Sequence, residues 1–509
     1  MNTRGKKVSH QIHHNYELTD TEISAAELFD DLRTAGANTL SVTGAARQSY
    51  RFPVVTAQAL GSEAFKKTYG ARYAYYAGSM ANGISSAEMA IALGRAGFMG
   101  SFGSGGLSLS EIANAIDRIK AELPEGPYLV NLLHSPRGGE QEEQIVSLCL
   151  QKSVRAIEAS AFIDVSPALI RYRLSGYKKN GGSGFCIQNR IIAKVSREEA
   201  AKKFMNPPDP EITASLLAQG LITAEQANWS KDAPVADDIT AEADSGGHTD
   251  NSPLVSLLPL IIAARDEIQR RRGYKQTVRV GAAGGIGTAM SAAGAFLMGA
   301  DYIATGSVNQ ACVEAGTSDY VKQMLTEIEM ADVAMAPGAD MFENGARVQV
   351  IKKGTMFPMN ARKLYELYTR FDSLADIPDN DVKAIEKRIF RCGLDTVWEN
   401  VKNHIASVGE NQLRHAEANG KYKMALIFRW YLGNSSRWAI QGDMARRADM
   451  QIWCGKSMGA FNRWVEGTVL ESPANRTVAA VADKIMAGAA FITTVNNLKY
   501  AGVNISGAI

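Results

Sequence analysis

The chain has 509 residues, enough for one large barrel and a second domain of about a hundred residues. Hydrophobic content of 46% with 21% charged suits a globular enzyme, and 55 basic against 53 acidic residues leave almost no net field. That balance points away from nucleic acid and from an anionic membrane surface as the main partner.

No apolar run approaches about 18 residues. The opening MNTRGKKVSHQIHHNYE lacks the apolar core of a signal peptide, so a cytoplasmic location is expected. The cysteines, at 149, 186, 312, 392 and 454, form no CxxC pair, which predicts neither a zinc site nor a disulfide framework. His10, His13 and His14 read as a mobile polar terminus rather than as metal ligands.

In chain order, residues 1–70 form an N-terminal extension with a helix over 25–37 and an extended run over 52–56, to which no chemistry is assigned. From residue 71 a repeating pattern begins. Short apolar runs at 73–78, 98–102, 128–133, 154–159, 191–195, 238–241, 278–281 and 302–304 predict eight strands. Helical periodicity separates most of them, as at 86–96, 109–122, 141–151 and 254–271. Strands and helices in this alternation predict an α/β fold, a TIM (β/α)8 barrel over 71–375. The long, proline-bearing connection between strands five and six, about 197–236, is expected to be an inserted lid at the catalytic end or a surface excursion. Beyond strand eight, 347–352 alternates like a strand and 361–371 has helical spacing. Residues 376–509 predict a C-terminal helical domain with Trp430, Tyr431, Trp438, Trp453 and Trp464 as its core; a partner-binding surface is the other reading of these aromatics.

The chemistry gathers at strand ends. Residues 278–310, VRVGAAGGIGTAMSAAGAFLMGADYIATGSVNQ, read as strand, Gly-rich turn, helix, strand and second turn. Gly284 and Gly285 follow strand seven, and Gly306 and Ser307 follow strand eight, where bare backbone amides can hold a phosphate. After strand six, Gly246 and Gly247 lead into His248, a candidate acid near neutral pH or a turn histidine bonded to Asp244 or Asp250. Asn131 ends strand three and Lys194 lies near the end of strand five, an amide and an ammonium that suit a planar heterocycle; Glu158 and Glu242 are lesser candidates. A phosphate anchor, polar groups along a flat ring and a histidine above it fit FMN. No GxGxxG follows the first strand of a doubly wound unit, so a Rossmann-type NAD site is not indicated. Cys312 allows a thiolate-type rival resembling IMP dehydrogenase, against which an isolated cysteine is more often a small buried thiol.

Long strings now identify a family. YYAGSMANGISS, EADSGGHTD, RVGAAGGIGT, GADYIATGSVNQ, VEAGTSDYVK, DMFENGARVQVIKKGTMFP, KMALIFRWYLGNSSRWA and QIWCGKSMGAFNRWVEG resemble the PfaD-type trans-acting enoyl reductases of polyunsaturated fatty acid and trans-acyltransferase polyketide synthases. These belong to the nitronate monooxygenase-like flavoproteins, and the resemblance covers roughly residues 60–505. It implies bound FMN, NADPH as reductant, and hydride delivery to a trans-2-enoyl thioester on an acyl carrier protein, with pairing into a homodimer. Carried onto this chain, Gly284, Gly285, Gly306 and Ser307 become the phosphate site. Met80, Asn131, Lys194 and Gly247 line the flavin, and His248 stands over its reactive face. A nitronate monooxygenase is the nearest enzymatic alternative, and a non-catalytic scaffold that docks carrier proteins is the alternative of another class.

Overall fold

The computed structural model of the protein describes residues 53–134, 139–180, 184–406 and 410–506, with the backbone of the earlier strands His13–Glu17, Ile23–Ser24, Thr39–Thr43 and Ser49–Pro53. The helix expected over 25–37 and His10 lie outside the described residues; His13 and His14 open the strand His13–Glu17.

Eight strands close into a parallel barrel: β1 Tyr75–Ala77, β2 Met99–Phe102, β3 Tyr128–Leu133, β4 Ala156–Ser160, β5 Arg190–Val195, β6 Asp238–Glu242, β7 Arg279–Ala283 and β8 Ile303–Thr305. Each pairs with its chain neighbours, and β8 pairs with β1 to shut the sheet. The strands are short, apolar and buried on both faces, as an enclosed parallel sheet requires. Its interior is aromatic. Tyr76 and Tyr302 share the Thr240 hydroxyl at 3.0 and 2.9 Å. Gly281 makes room for this layer, because a Cβ there would lie 2.2 Å from the Tyr302 ring.

Helix α1, Glu63–Tyr69, plugs the end of the barrel where the strands begin. Phe65 stacks on Tyr302 at 4.2 Å between ring centroids. Tyr69 donates to Asp238 at 2.5 Å, and the same carboxylate takes the Arg279 fork at 2.6 and 2.7 Å. Planar guanidinium against planar carboxylate supplies direction as well as charge. Beside it Asp237 meets Arg173 at 2.5 Å and Arg190 at 2.7 Å. Burial pushes the Asp237 carboxyl up, but the two guanidinium groups outweigh burial and hold it at about 2.

Of the two readings of 197–236, a lid at the catalytic end or a surface excursion, its course through the fold fits the second. Glu198–Met205 is the barrel helix after β5, and the helices Pro210–Ala218 and Ala224–Trp229 follow it on the way into β6. A segment that enters a strand arrives at that strand's beginning, which is the plugged end. There Phe185 stacks between Tyr177 and Trp229 at 5.0 and 5.4 Å, and Leu216 and Ile222 bury against Ile170 and Leu174.

The described residues beyond β8 pack in two places. After β8 the chain leaves the barrel through Ser307–Gln310, and its last long helix, α4 (Val478–Tyr500), returns to pack against α3 (Ala289–Leu297) and α2 (Ala87–Arg95). Small residues allow the close approach: a Cβ on Gly488 would lie 2.5 Å from that of Ala289. Although α4 is long and apolar enough to cross a bilayer by length and composition, Val481, Ile485, Met486, Ile492 and Val495 are buried in the barrel core. The intervening excursion has its own core. It joins the hairpin β9 Val333–Pro337 and β10 Arg347–Ile351 to Phe357–Arg370 and Gly420–Gln441 through Val350, Phe357, Leu364, Phe428 and Tyr431.

Because the Asp237 carboxyl sits below its ordinary value of about 4, its pairing stabilises fully above that value and is lost as pH falls through about 2. Asp237→Asn is expected to cost roughly 3–5 kcal/mol at pH 7 by leaving buried guanidinium charge uncompensated. Urea unfolding at pH 7 and pH 3 checks both parts: the variant should lose less than the wild type between the two.

Candidate functional site

All the residues singled out at strand ends face one mouth, the end of the barrel where the parallel strands finish. Asn131 pairs with Glu158 across β3 and β4, Lys194 with Ser160 and Thr240 across β4, β5 and β6, and Glu242 with Ala283 across β6 and β7.

Lys194 is the charge centre. Its ammonium lies 3.0 Å from Glu242 and 3.9 Å from the fully buried Glu158. Burial works against this charge, but the two carboxylates outweigh burial and raise the lysine above its ordinary value. Glu158 also fixes the neighbouring loop: one carboxylate oxygen accepts from the Ser79 amide at 2.9 Å, and the other takes the Tyr76 hydroxyl at 3.5 Å. That holds the turn that carries Met80, whose own amide donates to Ser85 at 2.9 Å. The Asn131 amide donates to the Glu158 carbonyl at 3.1 Å and to Ser160 at 2.9 Å. Its two N–H groups are thereby spent within the barrel, so Asn131 can offer a ring an acceptor and not the donor and acceptor together.

Strands β7 and β8 bring the paired turns together. Ala283 faces Ala304 in the ladder, so Gly284–Gly285 and Gly306–Ser307 leave the sheet side by side. Gly284 and Gly285 have φ of 84° and 73°, a region that suits glycine. At Gly285 and Gly306 the space a Cβ would fill is open within 4 Å, and among the described hydrogen bonds their N–H groups have no protein acceptor. Amides placed in this way could hold an anion. A strap from the excursion crosses these turns. The Gly455 amide donates to Ser307 Oγ at 2.8 Å, Lys456 reaches Asp244 at 2.8 Å, and Gly287 could not bear a Cβ, which would lie 2.4 Å from the Ser457 carbonyl. Ser307 Oγ accepts from the strap and also lies within hydrogen-bond reach of the Cys454 thiol.

His248 stands at the rim rather than in the barrel wall. Gly247 and His248 form a two-residue strand antiparallel to β10, opposite Gln349 and Val348. Gly247, at φ 78°, leaves open space above the mouth. The ring does not bind Asp244 or Asp250: Asp244 is held by Lys456 and Gln349, and Asp250 by Arg197 and Ser196. Its partner is Asp340, at 2.7 Å from Nε2. Asp340 opens the DMFENG string, yet nothing in a linear reading joins a residue 92 positions away to His248. Only the pairing of the Gly247–His248 strand with β10 shows the partnership.

Cys312 is fully buried, its thiol donates to the Val308 carbonyl at 3.6 Å, and burial pushes it well above the usual thiol range. A thiol kept protonated is no nucleophile.

The chain is similar to known proteins along most of its length. The family model described as nitronate monooxygenase matches residues 63–376, and that of the inserted helical domain of [acyl-carrier-protein] S-malonyltransferase matches 371–450. The polyketide biosynthesis protein PksE of Bacillus subtilis is 46% identical over 433 residues, 85% of this chain and 56% of that protein. A polyunsaturated fatty acid synthase polypeptide of Thraustochytrium is 45% identical over 447 residues, 86% of this chain and 30% of that protein. The chain thus spans about half of the first and a third of the second. Among solved structures, the enoyl reductase domain of MlnA from the macrolactin cluster of Bacillus amyloliquefaciens superposes with a TM-score of 0.83 at 42% identity, covering 87% of this chain and 99% of that domain. With more than half its length in the family match and a whole solved domain aligned at this identity, the chain belongs to the nitronate monooxygenase family, in its branch of enoyl reductases from polyketide and polyunsaturated fatty acid synthases.

Proposed function

We propose that the protein is an FMN-dependent enoyl reductase that uses NADPH to reduce the trans-2-enoyl thioester carried on an acyl carrier protein of such a synthase. The observation that carries this reading is the pair of adjacent glycine turns on β7 and β8, open at Gly285 and Gly306, in the same mouth as Lys194 and His248.

The residues present fit the flavin. The amides of Gly285 and Gly306 and the Ser307 hydroxyl would hold its phosphate, and Gly284 gives the turn its shape. Met80, Asn131, Lys194 and Gly247 would line the ring. Lys194 brings a positive charge that Glu158 and Glu242 keep in place. FMN, when bound, supplies the relay of two electrons from NADPH to the β-carbon of the enoyl group. What remains for the protein is charge and a proton. As negative charge grows on the thioester oxygen, a nearby donor lowers the barrier, and one proton must reach the α-carbon. His248 is the group at the rim suited to either role. Its bond to Asp340, acting against burial, raises it above the ordinary histidine value and so favours the charged donor form.

Anaerobic NADPH is expected to bleach the flavin of the purified protein, and a crotonyl thioester is expected to restore the colour. Recovery with a nitronate but not with the thioester would sink this reading in favour of a nitronate monooxygenase. A colourless protein that takes up no FMN would favour a carrier-docking scaffold instead.

Gly285→Asp should weaken FMN binding at least tenfold, about 1.4 kcal/mol, by setting a carboxylate against the phosphate; fluorescence titration of the apoprotein with FMN measures it. Cys312→Ser should leave turnover within about twofold, since its thiol is not a nucleophile. Steady-state rates with NADPH and crotonyl thioester decide this.

A further inference from the structure

We propose that Asp340 is a positioning residue for His248: a carboxylate from the excursion holds the rim histidine in a fixed orientation and in its charged form. The inference rests on the role just proposed for His248 and adds a residue to it.

The arrangement is built by the backbone. β9 pairs with β10 from Pro337 opposite Arg347 to Val333 opposite Ile351, and the Gly338 amide bonds the Ala346 carbonyl at 2.9 Å. The turn that carries Asp340 therefore sits at the end of the hairpin next to Arg347. The Gly247–His248 strand lies on the other side of β10, with His248 opposite Val348. Three strands thus deliver the carboxylate and the imidazole to one point, and Nε2 meets Oδ2 at 2.7 Å. Gly338 forms the floor under the ring, since a Cβ there would lie 3.4 Å from His248 Cε1.

Three groups that act on the imidazole favour its positive charge, against the opposing effect of burial. Asp340 does so from the hairpin turn, Glu242 from the tip of β6, and the Arg347 backbone from β10. Asp244, which could have competed, is already bound to Lys456 and Gln349. The pair is open to water, with side chains 43% and 59% exposed. Its strength is accordingly modest, and its value lies in orientation and protonation state rather than in holding the fold together. Asp340 itself touches neither the anion cradle nor Lys194 among the described contacts. It acts through His248.

The signs are opposite for the two partners. The raised histidine contributes below its ordinary value and loses that contribution as pH rises through its folded value. The lowered Asp340 contributes above the ordinary carboxylate value and loses it as pH falls. The pair is therefore intact between the ordinary carboxylate and histidine values and weakens on the alkaline side first where an enzyme works.

The test uses the full chain labelled with 13C at histidine Cε1, comparing wild type, Asp340→Asn and Asp340→Glu. In Asp340→Asn the His248 titration midpoint should fall by roughly one unit, and the alkaline limb of the kcat profile for crotonyl thioester should move down with it. At pH 7.5, kcat should drop about tenfold, within the range one general acid contributes, while Asp340→Glu recovers part of both. An unchanged midpoint in Asp340→Asn overturns the proposal. So does a fall in kcat with an unmoved pH profile, which would mark a merely structural role. Should the wild type prove inactive on enoyl thioesters, the function proposed above fails, whereas the midpoint still decides whether Asp340 governs His248.

Discussion

Ala283 lies opposite Ala304, and the site depends on that register. In a parallel ladder the two strands point the same way, so the turns that leave them rise together at the same level. Gly284–Gly285 and Gly306–Ser307 become one concave surface of backbone amides because of it. An antiparallel pairing would have sent the two turns to opposite ends of the sheet. A shift of two residues would have set one turn about 7 Å below the other. The aromatic layer beneath, Tyr76 and Tyr302 on Thr240 with Gly281 making room, keeps the register from sliding.

On that platform the charges are arranged by burial. Lys194 sits where burial works against an ammonium, and Glu242 and Glu158 outweigh that. Glu158 at the same time ties down the Ser79 amide, so the carboxylate that keeps the lysine charged also shapes the loop of Met80. The rim is different. His248 and Asp340 are open to solvent, and there geometry counts for more than electrostatic strength. The interior of the mouth is thus set up for a fixed charge, and its edge for a group that titrates.

The excursion between β8 and α4 does more than decorate the barrel. Its hairpin carries Asp340 to the histidine, and its strap places the Gly455 amide on Ser307 and Lys456 on Asp244. Gly246, Gly287 and Gly455 lie at the crossing, where backbone meets backbone too closely for side chains. Both halves of the proposed site, the anion cradle and the acid, are therefore completed by residues from outside the barrel. The strings QIWCGKSMGAF and DMFENG supply those residues.

Much of this was legible in one dimension. Strand positions, the glycine turns and the strand-end residues Asn131, Lys194 and His248 depend on local patterns of period and turn chemistry, which the order of residues states directly. Other features were not legible because they depend on where the chain goes next. The segment 197–236 reads equally as a lid or as a surface excursion, and only its route into the beginning of β6 decides between them. Residues 478–500 read as one with the other C-terminal helices, and only the close approach of Gly488 to Ala289 shows that they pack on the helices of the barrel. Local order offers Asp244 and Asp250 as partners of His248, whereas the fold supplies Asp340, 92 residues on. Alternation and periodicity determine which elements form, since they act within a few residues. Which elements meet is decided only when the whole chain closes on itself, since contact energies between distant residues do not exist until then.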